Sequence, residues 1–276
     1  MHLHGLCLVK NEDDILERSL RHNLRRFDRV YILDNGSTDS TWDTALRLQD
    51  EFPGRVVAWK TEDRDFRDEL RGEIFNRFKD QAGDGDWWCR LDADEVYVDD
   101  LRSFLAAVPR RYHVVWSIHL QYYFSELDAA RWDADPVAAA RPLKDFADLP
   151  RSYVSNGGEA RFFRHRDRLV WPAAAWPRHM GLVAPQRVRL KHYQYRSPEQ
   201  IQKRLDTRRE AAERGYQTFL HSLESDWREK IVQSKDYHQD QLDGNLVIDE
   251  ELLPRHLEPW HVRLVKHVMH GTGLWP

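Results

Sequence analysis

Three carboxylates directly follow an apolar run in the segment WWCRLDADEVYVDD, residues 87–100. The run 87–91 has the length and composition of a buried strand, and Asp92, Asp94 and Glu95 come next. Clustered carboxylates repel one another and resist leaving water unless a positive group lies among them. A D-x-D pair at a strand end suits Mg²⁺ or Mn²⁺, which take oxygen ligands and often bridge to the phosphates of a substrate. We therefore predict that Asp92 and Asp94 bind Mn²⁺ or Mg²⁺.

The D-x-D spacing is a weak signal by itself, because many acidic turns match it. A second copy, Asp133 and Asp135 in RWDADP, follows no apolar strand, and we interpret these two residues as loop charges. For the first copy, the alternative is that Asp92 caps the next segment while Asp94 and Glu95 point into water. The first copy stands at the end of a predicted strand, late in a series of alternating strands and helices, and this position favours the metal site.

Strands and helices alternate through the first part of the chain. Apolar runs predict strands at residues 2–9, 30–33, 55–62 and 87–91. Helical spacing follows the first three strands, and in the third helix the residues that share a face are Phe66, Leu70, Ile74 and Phe78. This alternation predicts an α/β fold with a mostly parallel sheet flanked by helices.

Polar segments stand where the predicted strands end: KNE, DNGSTD, KTEDRD and LDADE. Since ligands of such sheets bind outside the carboxyl ends of the strands, one crevice would collect a polar group from every strand. Asp34 ends the second strand, where its carboxylate could accept a hydrogen bond from the imide N–H of a uracil ring. The alternative is that residues 35–40 form only a tight turn and a helix cap, with capping oxygens from residues 38–40.

The alternation stops after Asp100. The segment HVVWSIHLQYYF, residues 113–124, predicts a long strand, and residues 131–150, rich in Ala, Pro and Asp, predict an inserted loop.

A capped helix is predicted in RSPEQIQKRLDTRREAAERG. Ser197 would be its N-cap, Pro198 its first residue and Gln200 the partner in a capping box, with Gly215 at its end. We therefore predict a mostly helical C-terminal extension at residues 197–276.

Residues 161–196 are strongly basic. They hold nine cations against one acid, and the cations are Arg161, Arg164, Arg166, Arg168, Arg178, Arg187, Arg189, Lys191 and Arg196. We predict a basic wall that faces the acidic crevice. His192 lies in this segment, where an imidazole and several cations could close over a metal diphosphate. The alternative is a structural histidine, since the chain has 14 histidines.

The remaining cysteine and histidine patterns are interpreted as structural. Cys7 and Cys89 lie in predicted strands and belong to no C-x-x-C pair, so we expect buried thiols. His2 and His4 would share a strand face like a zinc pair, but neither a cysteine nor a third histidine accompanies them.

The composition limits the class of function. The 276 residues, 41% hydrophobic and 32% charged with a net charge of -4, predict a soluble globular chain and exclude a disordered or general nucleic-acid-binding one. The N-terminus lacks the basic start and long apolar core of a signal peptide, so we expect a cytoplasmic setting. The C-terminal segment WHVRLVKHVMHGTGLWP is predicted to pack on the domain, with shallow membrane contact as the alternative.

Four segments, taken in order, resemble the glycosyltransferases of family 2, which have a GT-A fold: KNEDDILERSL, DNGSTDST, LDADE and HYQYRSPEQI. The resemblance runs from the first strand to about residue 205. It implies a Rossmann-like GT-A domain at residues 1–196 that binds a nucleotide sugar and carries the catalytic groups.

The resemblance also implies roles for individual residues. Asp34 would hold the base, and Asp92 and Asp94 would hold the metal against the diphosphate. The residues that would border the nucleoside are Asn11, Glu12 and Arg71, with Asn76 as the alternative to Arg71.

The implied reaction moves a sugar from a nucleotide-sugar donor, with a UDP-sugar favoured, to a hydroxyl of a saccharide or lipid-linked acceptor. Family 2 enzymes generally invert the anomeric centre with a carboxylate base, and need no cofactor beyond the metal. The usual E-D dipeptide is not visible in the region where the resemblance would place it, and the candidate bases are Glu159, Glu126 and Asp128. We prefer Glu159, which follows two glycines and precedes the basic segment; the alternative is a strand-edge charge.

Two other functions remain open from the sequence. DADEV matches the D-x-D-x-[TV] start of haloacid-dehalogenase-type phosphatases, in which Asp92 would be the nucleophile and Asp94 the acid/base. That motif usually ends the first core strand, whereas three strand–helix units precede it here. The second alternative is a non-catalytic nucleotide- or sugar-binding module.

Overall fold

The computed structural model describes residues 1–64, 67–135, 146–213 and 224–276. The chain divides into two compact units. The first comprises Met1–His119, Gly157–Leu190 and Leu253–Pro276, and the second comprises Leu120–Asn156 and Lys191–Leu252. The domain boundary after residue 196 stays a prediction. Phe66 and Gly215, which the sequence assigns to helices, lie outside the described residues.

In chain order, the described strands and helices are β1 (Leu3–Val9), α1 (Leu16–Asn23), β2 (Arg29–Asp34), α2 (Thr41–Glu51), β3 (Val56–Thr61), α3 (Leu70–Phe78), β4 (Trp87–Leu91), β5 (Glu95–Tyr97), α4 (Leu101–Ala107), β6 (Val114–Tyr123), α5 (Glu126–Ala134), β7 (Ser152–Gly157), β8 (Ala160–Arg164), β9 (Val183–His192), α6 (Pro198–Glu213), β10 (His238–Gln239) and α7 (Trp260–Gly271). The four strands predicted in the first part of the chain are β1 to β4, and the predicted long strand is β6. Beyond β9, the described residues form α6, α7, β10 and short 3₁₀ turns.

The sheet of the first unit has four parallel strands in the order β4-β1-β2-β3. β8 pairs antiparallel with β4, placing Phe162 opposite Cys89, and the first part of β6 pairs antiparallel with β8. The predicted α/β class, with parallel strands flanked by helices, is confirmed. The sequence pattern offered no prediction for β8, because Arg161 and Arg164 interrupt its short apolar run.

The core lies on both faces of this sheet, and every residue of β1 and β4 is buried. On one face α1 and α2 contribute Leu20 and Leu48, beside the buried thiols of Cys7 and Cys89. On the other face α3 packs Phe75 into an aromatic cluster. The prediction of buried cysteines is therefore confirmed.

Helix caps agree in part with the sequence. The Gln200 N–H donates to Ser197 Oγ at 3.2 Å, but its side-chain oxygen accepts from the Arg196 N–H at 3.0 Å, one residue before the position that a capping box requires. At α2 the Ser40 side chain makes no capping bond, and Asp39 accepts from the first backbone N–H of the helix at 2.9 Å. In the part of the chain that the structure describes, no helix is both long and apolar enough to cross a membrane.

The interpretation of Asp133 as a loop charge is wrong. α5 begins with a capping box between Ser125 and Asp128, and it continues through residues 131–134 of the predicted inserted loop. The cap makes this segment helical despite its loop-like composition. Residues 136–145 lie outside the described residues.

His4 is an aromatic core residue, which agrees with its interpretation as a strand-face residue. Its ring is 2% exposed and stacks on Trp88 and Tyr31, with ring centroids 4.6 and 6.1 Å away. Burial, partly opposed by the nearby Asp86 carboxylate, lowers the pKa of His4 to about 4. The imidazole is therefore neutral in the folded chain at neutral pH.

We expect His4 to make the fold sensitive to mild acid. Between about pH 6.5 and pH 4 the unfolded chain binds a proton at this residue and the folded chain does not, so the free energy of unfolding should fall as the pH drops. The loss due to His4 should reach about 2 to 3 kcal/mol at pH 4. His4→Phe keeps the stacking and should flatten this decline in urea titrations across that range. A decline that is equally steep in His4→Phe and in the parent chain would show that His4 does not cause it.

Candidate functional site

The loops that follow β1 and β2 are locked together. Asn11 has a left-handed φ of 56°, its N–H donates to Ser37 Oγ at 2.8 Å, and its side-chain oxygen accepts from the Thr38 N–H at 2.8 Å. The Glu12 N–H donates to Thr41 Oγ1 at 2.8 Å. The structure thus brings two of the predicted nucleoside-bordering residues against the turn that follows Asp34.

The Asp34 carboxylate is fully buried at the end of β2. One oxygen accepts from the Ser37 N–H at 3.0 Å and from Thr61 Oγ1 at 2.6 Å, and the other accepts from the Ser37 hydroxyl. Gly36 has a φ of 73°, and a Cβ there would lie 2.8 Å from Asp63 Cα, so the turn requires glycine. These contacts give Asp34 a structural role in the turn that the sequence did not predict, and the hydrogen bond to a base stays a prediction.

Buried arginines surround the acids that follow β4. We call this set the arginine–carboxylate cluster; it consists of Arg71, Arg90 and Arg161 with Asp68, Asp92, Glu95 and Glu159. Asp92 Oδ1 accepts from Arg71, and Asp92 Oδ2 accepts from Arg161 Nη1 at 2.9 Å. The positive groups that the sequence predicts beside Asp92 are therefore present as two guanidiniums.

Arg161 connects the largest number of acids in the cluster. Its Nη1 also donates to the Arg90 carbonyl at 3.2 Å, and its Nη2 contacts Glu95 and lies 2.8 Å from Glu159 Oε1. The antiparallel pairing of β8 with β4 places Arg161 beside the strand that ends before Asp92. One buried cation, 2% exposed, thus joins three carboxylates.

The prediction of a basic wall is wrong. Apart from Arg161, most cations of that segment bind other parts of the chain: backbone carbonyls accept from Arg164, Arg166, Arg168, Arg187 and Arg196, while Arg189 binds Asp99 and Lys191 binds Asp240. Arginine has five donors and can satisfy carbonyl groups that loops leave unpaired. A high density of cations along the sequence therefore does not show in which direction their side chains point.

Arg71 and Asn76 lie on different sides of α3. Arg71 points inward to Asp68 and Asp92, whereas the Asn76 side chain donates to the Trp171 carbonyl at 2.7 Å. Asn76 and Trp171 line a cavity of about 530 Å³. The structure therefore associates Arg71, and not Asn76, with the acids after β4, and its contact with a nucleoside stays a prediction.

Arg90 is a member of the cluster that sequence reasoning missed. Its guanidinium stacks on Trp176, with the carbon 4.1 Å from the ring centroid, and donates to Asp68 at 2.8 Å. Burial next to Arg71 lowers the pKa of Arg90. The available signal was the single cation inside the apolar run WWCRL, since a buried charge requires a partner.

Asp92 and Glu95 have opposite ionisation tendencies. Although burial opposes ionisation, the Arg71 and Arg161 guanidiniums hold the pKa of Asp92 well below its usual range. Burial, together with the charges of Asp92, Asp94 and Glu159, raises the pKa of Glu95 well above its usual range, although Arg161 opposes this shift. Glu95 Oε2 is buried and has no hydrogen-bond partner among the described residues.

The acids fit a divalent cation chemically. Asp92, Asp94 and Glu95 offer carboxylate oxygens, the ligands that Mg²⁺ and Mn²⁺ prefer, and Glu95 Oε2 is a buried oxygen without a hydrogen-bond partner among the described residues. A ligand atom of His119 lies within 4.8 Å of one of Glu95. Glu95 and His119 were not predicted as ligands. His192 is the last residue of β9, in the second unit, and is half-buried; its metal role stays a prediction.

Glu159 joins the cluster from the start of β8. The backbone before it passes close to β6, since a Cβ on Gly158 would lie 2.5 Å from the Ser117 carbonyl oxygen, and the Glu159 carbonyl accepts from the Ser117 N–H at 2.9 Å. The Glu159 side chain is 36% exposed and contacts Arg161 at 2.8 Å and Arg90 at 3.4 Å. Two arginines therefore hold the Glu159 carboxylate in place, while the side chain stays accessible to solvent.

The two other candidate bases serve as structural ligands. Glu126 accepts from the Ser234 N–H at 2.7 Å and from its hydroxyl at 2.6 Å. Asp128 closes the capping box with Ser125 and pairs with Arg131. Both carboxylates are occupied within the second unit.

Comparison with solved structures finds weak likenesses. The mannosyltransferase PcManGT from Pyrobaculum calidifontis, in complex with GDP-Man and Mn²⁺, has 14% identity, a TM-score of 0.39, and 77% coverage of this chain and 64% of its own. A mycobacterial protein has 16% identity, a TM-score of 0.28 and coverages of 59% and 53%. The glucosyl-3-phosphoglycerate synthase from Mycobacterium tuberculosis, in complex with phosphoglyceric acid, has 18% identity, a TM-score of 0.26 and coverages of 51% and 51%. The chain spans less than two thirds of the length of each, and likenesses at these scores carry no weight for the site.

A comparison with curated protein sequences finds no match. The sequence profile of Glycosyl transferase family 2 matches residues 8–165, which is more than half of the chain and includes every member of the arginine–carboxylate cluster. The matched region begins in β1 and ends just after β8. This match and the parallel sheet flanked by helices confirm the predicted GT-A class. The chain therefore belongs to glycosyl transferase family 2.

Proposed function

We propose that the chain transfers a sugar from a nucleotide-sugar donor, with a UDP-sugar favoured, to a hydroxyl group of a saccharide or lipid-linked acceptor. The observation that carries this proposal is the placement of Asp92 at the carboxyl end of β4, linked through Arg161 to the half-exposed Glu159. The candidate metal ligand Asp92 and the candidate base Glu159 thus belong to one cluster. The locked loops around Asn11 and Asp34 lie at the carboxyl ends of the neighbouring parallel strands.

On the donor side, the nucleoside would be bordered by Asn11, Glu12, Asp34 and Arg71. A divalent ion would be held by Asp92 and Asp94, with the orphaned oxygen of Glu95 as a further ligand. When bound, such an ion supplies positive charge that stabilises a departing nucleoside diphosphate.

On the acceptor side, Glu159 would take the proton of the attacking hydroxyl. The acceptor oxygen forms a bond to the anomeric carbon while the bond from that carbon to the phosphate oxygen breaks, and its electron pair leaves with the diphosphate. Attack from the side opposite the leaving group inverts the anomeric centre. Arg161 and Arg90 orient the Glu159 carboxylate during this step.

The phosphatase alternative is not favoured by the geometry. It would require Asp92 as a free nucleophile at the end of the first core strand. Asp92 instead follows the fourth strand along the chain, and each of its oxygens accepts a hydrogen bond from a guanidinium.

We expect Asp92→Asn to remove the metal-dependent binding of a nucleoside diphosphate. With UDP and Mn²⁺ at about 100 times the dissociation constant, the folded parent chain should gain about 2.7 kcal/mol of stability, because the ligand binds only that state. In the variant the gain should vanish, since an uncharged amide is a poor ligand for a hard cation. Thermal unfolding with UDP, GDP, CDP and ADP, each with and without Mn²⁺, measures both effects and the base preference.

The second D-x-D copy provides the matched control. The double variant Asp133→Asn and Asp135→Asn changes the same residue types at the same spacing and should keep the full stabilisation by UDP and Mn²⁺. An Asp92→Asn chain that is stabilised as strongly as the parent would place the metal elsewhere. Release of phosphate from simple phosphomonoesters by the parent chain would favour the phosphatase.

A further inference from the structure

Helix α7 turns its apolar side chains to the solvent. Its exposed large apolar side chains are Trp260 at 75%, Leu264 at 54%, Val265 at 54% and Val268 at 49%, and none of its residues is buried. Trp260, Leu264 and Val268 are four residues apart and therefore follow one line along the helix. Leu257 at 37% and Leu274 at 68% continue the exposed set on either side. We call these six side chains the α7 apolar face.

Polar contacts attach the opposite side of α7 to other residues of the first unit, to which the helix itself belongs. Lys266 Nζ donates to the Gly181 carbonyl at 3.0 Å and pairs with Glu258. Arg168 donates to the Gly273 carbonyl at 2.8 Å, just beyond the helix end. A surface helix of a globular protein usually buries its apolar side and exposes its polar side. In α7 the apolar side is exposed instead, and the contacts of Lys266 and Arg168 hold the helix in this orientation.

The segment that forms α7 carries basic side chains and no acidic ones. Residues 259–276 contain no Asp or Glu, but they contain Arg263, Lys266 and three histidines. Lys266 is neutralised by Glu258, which precedes the helix. Arg168 is exposed and adds positive charge just beyond the C-terminal end of the helix, where it binds the Gly273 carbonyl.

We propose that the α7 apolar face adsorbs the chain to an anionic lipid surface. The apolar side chains enter the boundary between headgroups and acyl chains, while the surrounding arginines bind lipid phosphates. The exposed indole of Trp260 suits that boundary, where tryptophan is enriched. This mode of binding lays the helix in the plane of the surface and does not span the bilayer.

The size of the face favours a lipid surface over a second copy of the chain. α7 has 12 residues. A helix of that length is about 18 Å long and about 10 Å wide. It therefore presents roughly 200 Å², whereas a stable protein interface buries about 800 Å² on each partner. Adsorption to a lipid surface needs no such area, because several side chains and electrostatic attraction suffice.

Vesicle flotation with the full chain tests the proposal. Vesicles of phosphatidylcholine mixed with phosphatidylglycerol should bind the chain, vesicles of phosphatidylcholine alone should bind it less, and about 1 M salt should weaken binding. Leu264→Gln should lower the partition coefficient about tenfold. The matched control is Leu127→Gln on α5, at a leucine with 53% exposure, and it should bind as the parent does. Thermal melts of both variants should match that of the parent, since both side chains are exposed.

Three outcomes would overturn the proposal. The first is failure of the parent chain to float with the anionic vesicles. The second is an equal loss of binding in Leu264→Gln and Leu127→Gln. The third is self-association in sedimentation equilibrium that Leu264→Gln abolishes without any vesicle binding, which would assign the face to a second copy of the chain.

Discussion

Replacement of Arg161 by methionine should lower the free energy of unfolding by about 3 to 5 kcal/mol. Methionine fills a similar volume but removes the cation that joins Asp92, Glu95 and Glu159. Breaking a buried ion pair is costly because the remaining charge stays away from water without a partner. Glu95 is fully buried, and among the described residues Arg161 is the one guanidinium that contacts its side chain, so Glu95 accounts for most of the expected loss. Urea denaturation at neutral pH measures the change.

Two variants separate a charge effect from a packing effect. Arg164→Met lies on the same strand, but Arg164 binds only carbonyl groups and stacks on Trp87, so its loss should be smaller, about 1 to 2 kcal/mol. Adding Glu95→Gln to Arg161→Met should recover part of the stability, because glutamine needs neither a buried cation nor a bound proton to stay neutral inside the fold. Equal losses for Arg161→Met and Arg164→Met, with no recovery in the double variant, would mean that packing alone accounts for Arg161.

The sequence predicted those parts of the structure that depend on local patterns. The strands β1 to β4 are continuous apolar runs, and their parallel order follows from the helices between them. The position of Asp92 at a strand end follows from the same pattern. The start of α6 was also local, because Ser197 and Pro198 are adjacent in the chain.

The contacts of the site were harder to predict because they join distant segments. Arg161 meets Asp92 only because β8 returns antiparallel to β4, and neither that pairing nor its register can be read from the spacing of residues 92 and 161. The basic segment failed as a prediction for the same reason. Successive residues of a strand point to opposite faces, so neighbouring arginines in the sequence reach different partners.

The cluster changes how the D-x-D acids are understood. A sequence of clustered carboxylates requires positive charge, and the chain supplies it from Arg71 and Arg161 without any ion. The guanidiniums do not satisfy every oxygen of these acids, because Glu95 Oε2 has no hydrogen-bond partner among the described residues. A metal ion at the site would therefore add to the guanidiniums, and its affinity should depend on how firmly they hold Asp92.

Replacement of Glu159 by glutamine should lower the turnover of glycosyl transfer by about 10² to 10⁴-fold, the usual contribution of a general base. Glutamine keeps the shape of the side chain and an oxygen for Arg161, but an amide does not take a proton from the acceptor hydroxyl. The stabilisation by UDP and Mn²⁺ should therefore be retained while kcat falls. Steady-state kinetics with a radiolabelled donor, together with thermal unfolding in UDP and Mn²⁺, measures the two quantities separately.

The matched control is Glu126→Gln, which changes the same residue type at the competing candidate. Glu126 binds Ser234 in the second unit, so its substitution should leave kcat close to the parent value. If Glu159→Gln keeps full turnover, the base is another residue. If it loses nucleotide binding and turnover together, Glu159 acts through Arg161 on Asp92, and its carboxylate positions the cluster instead of removing the proton.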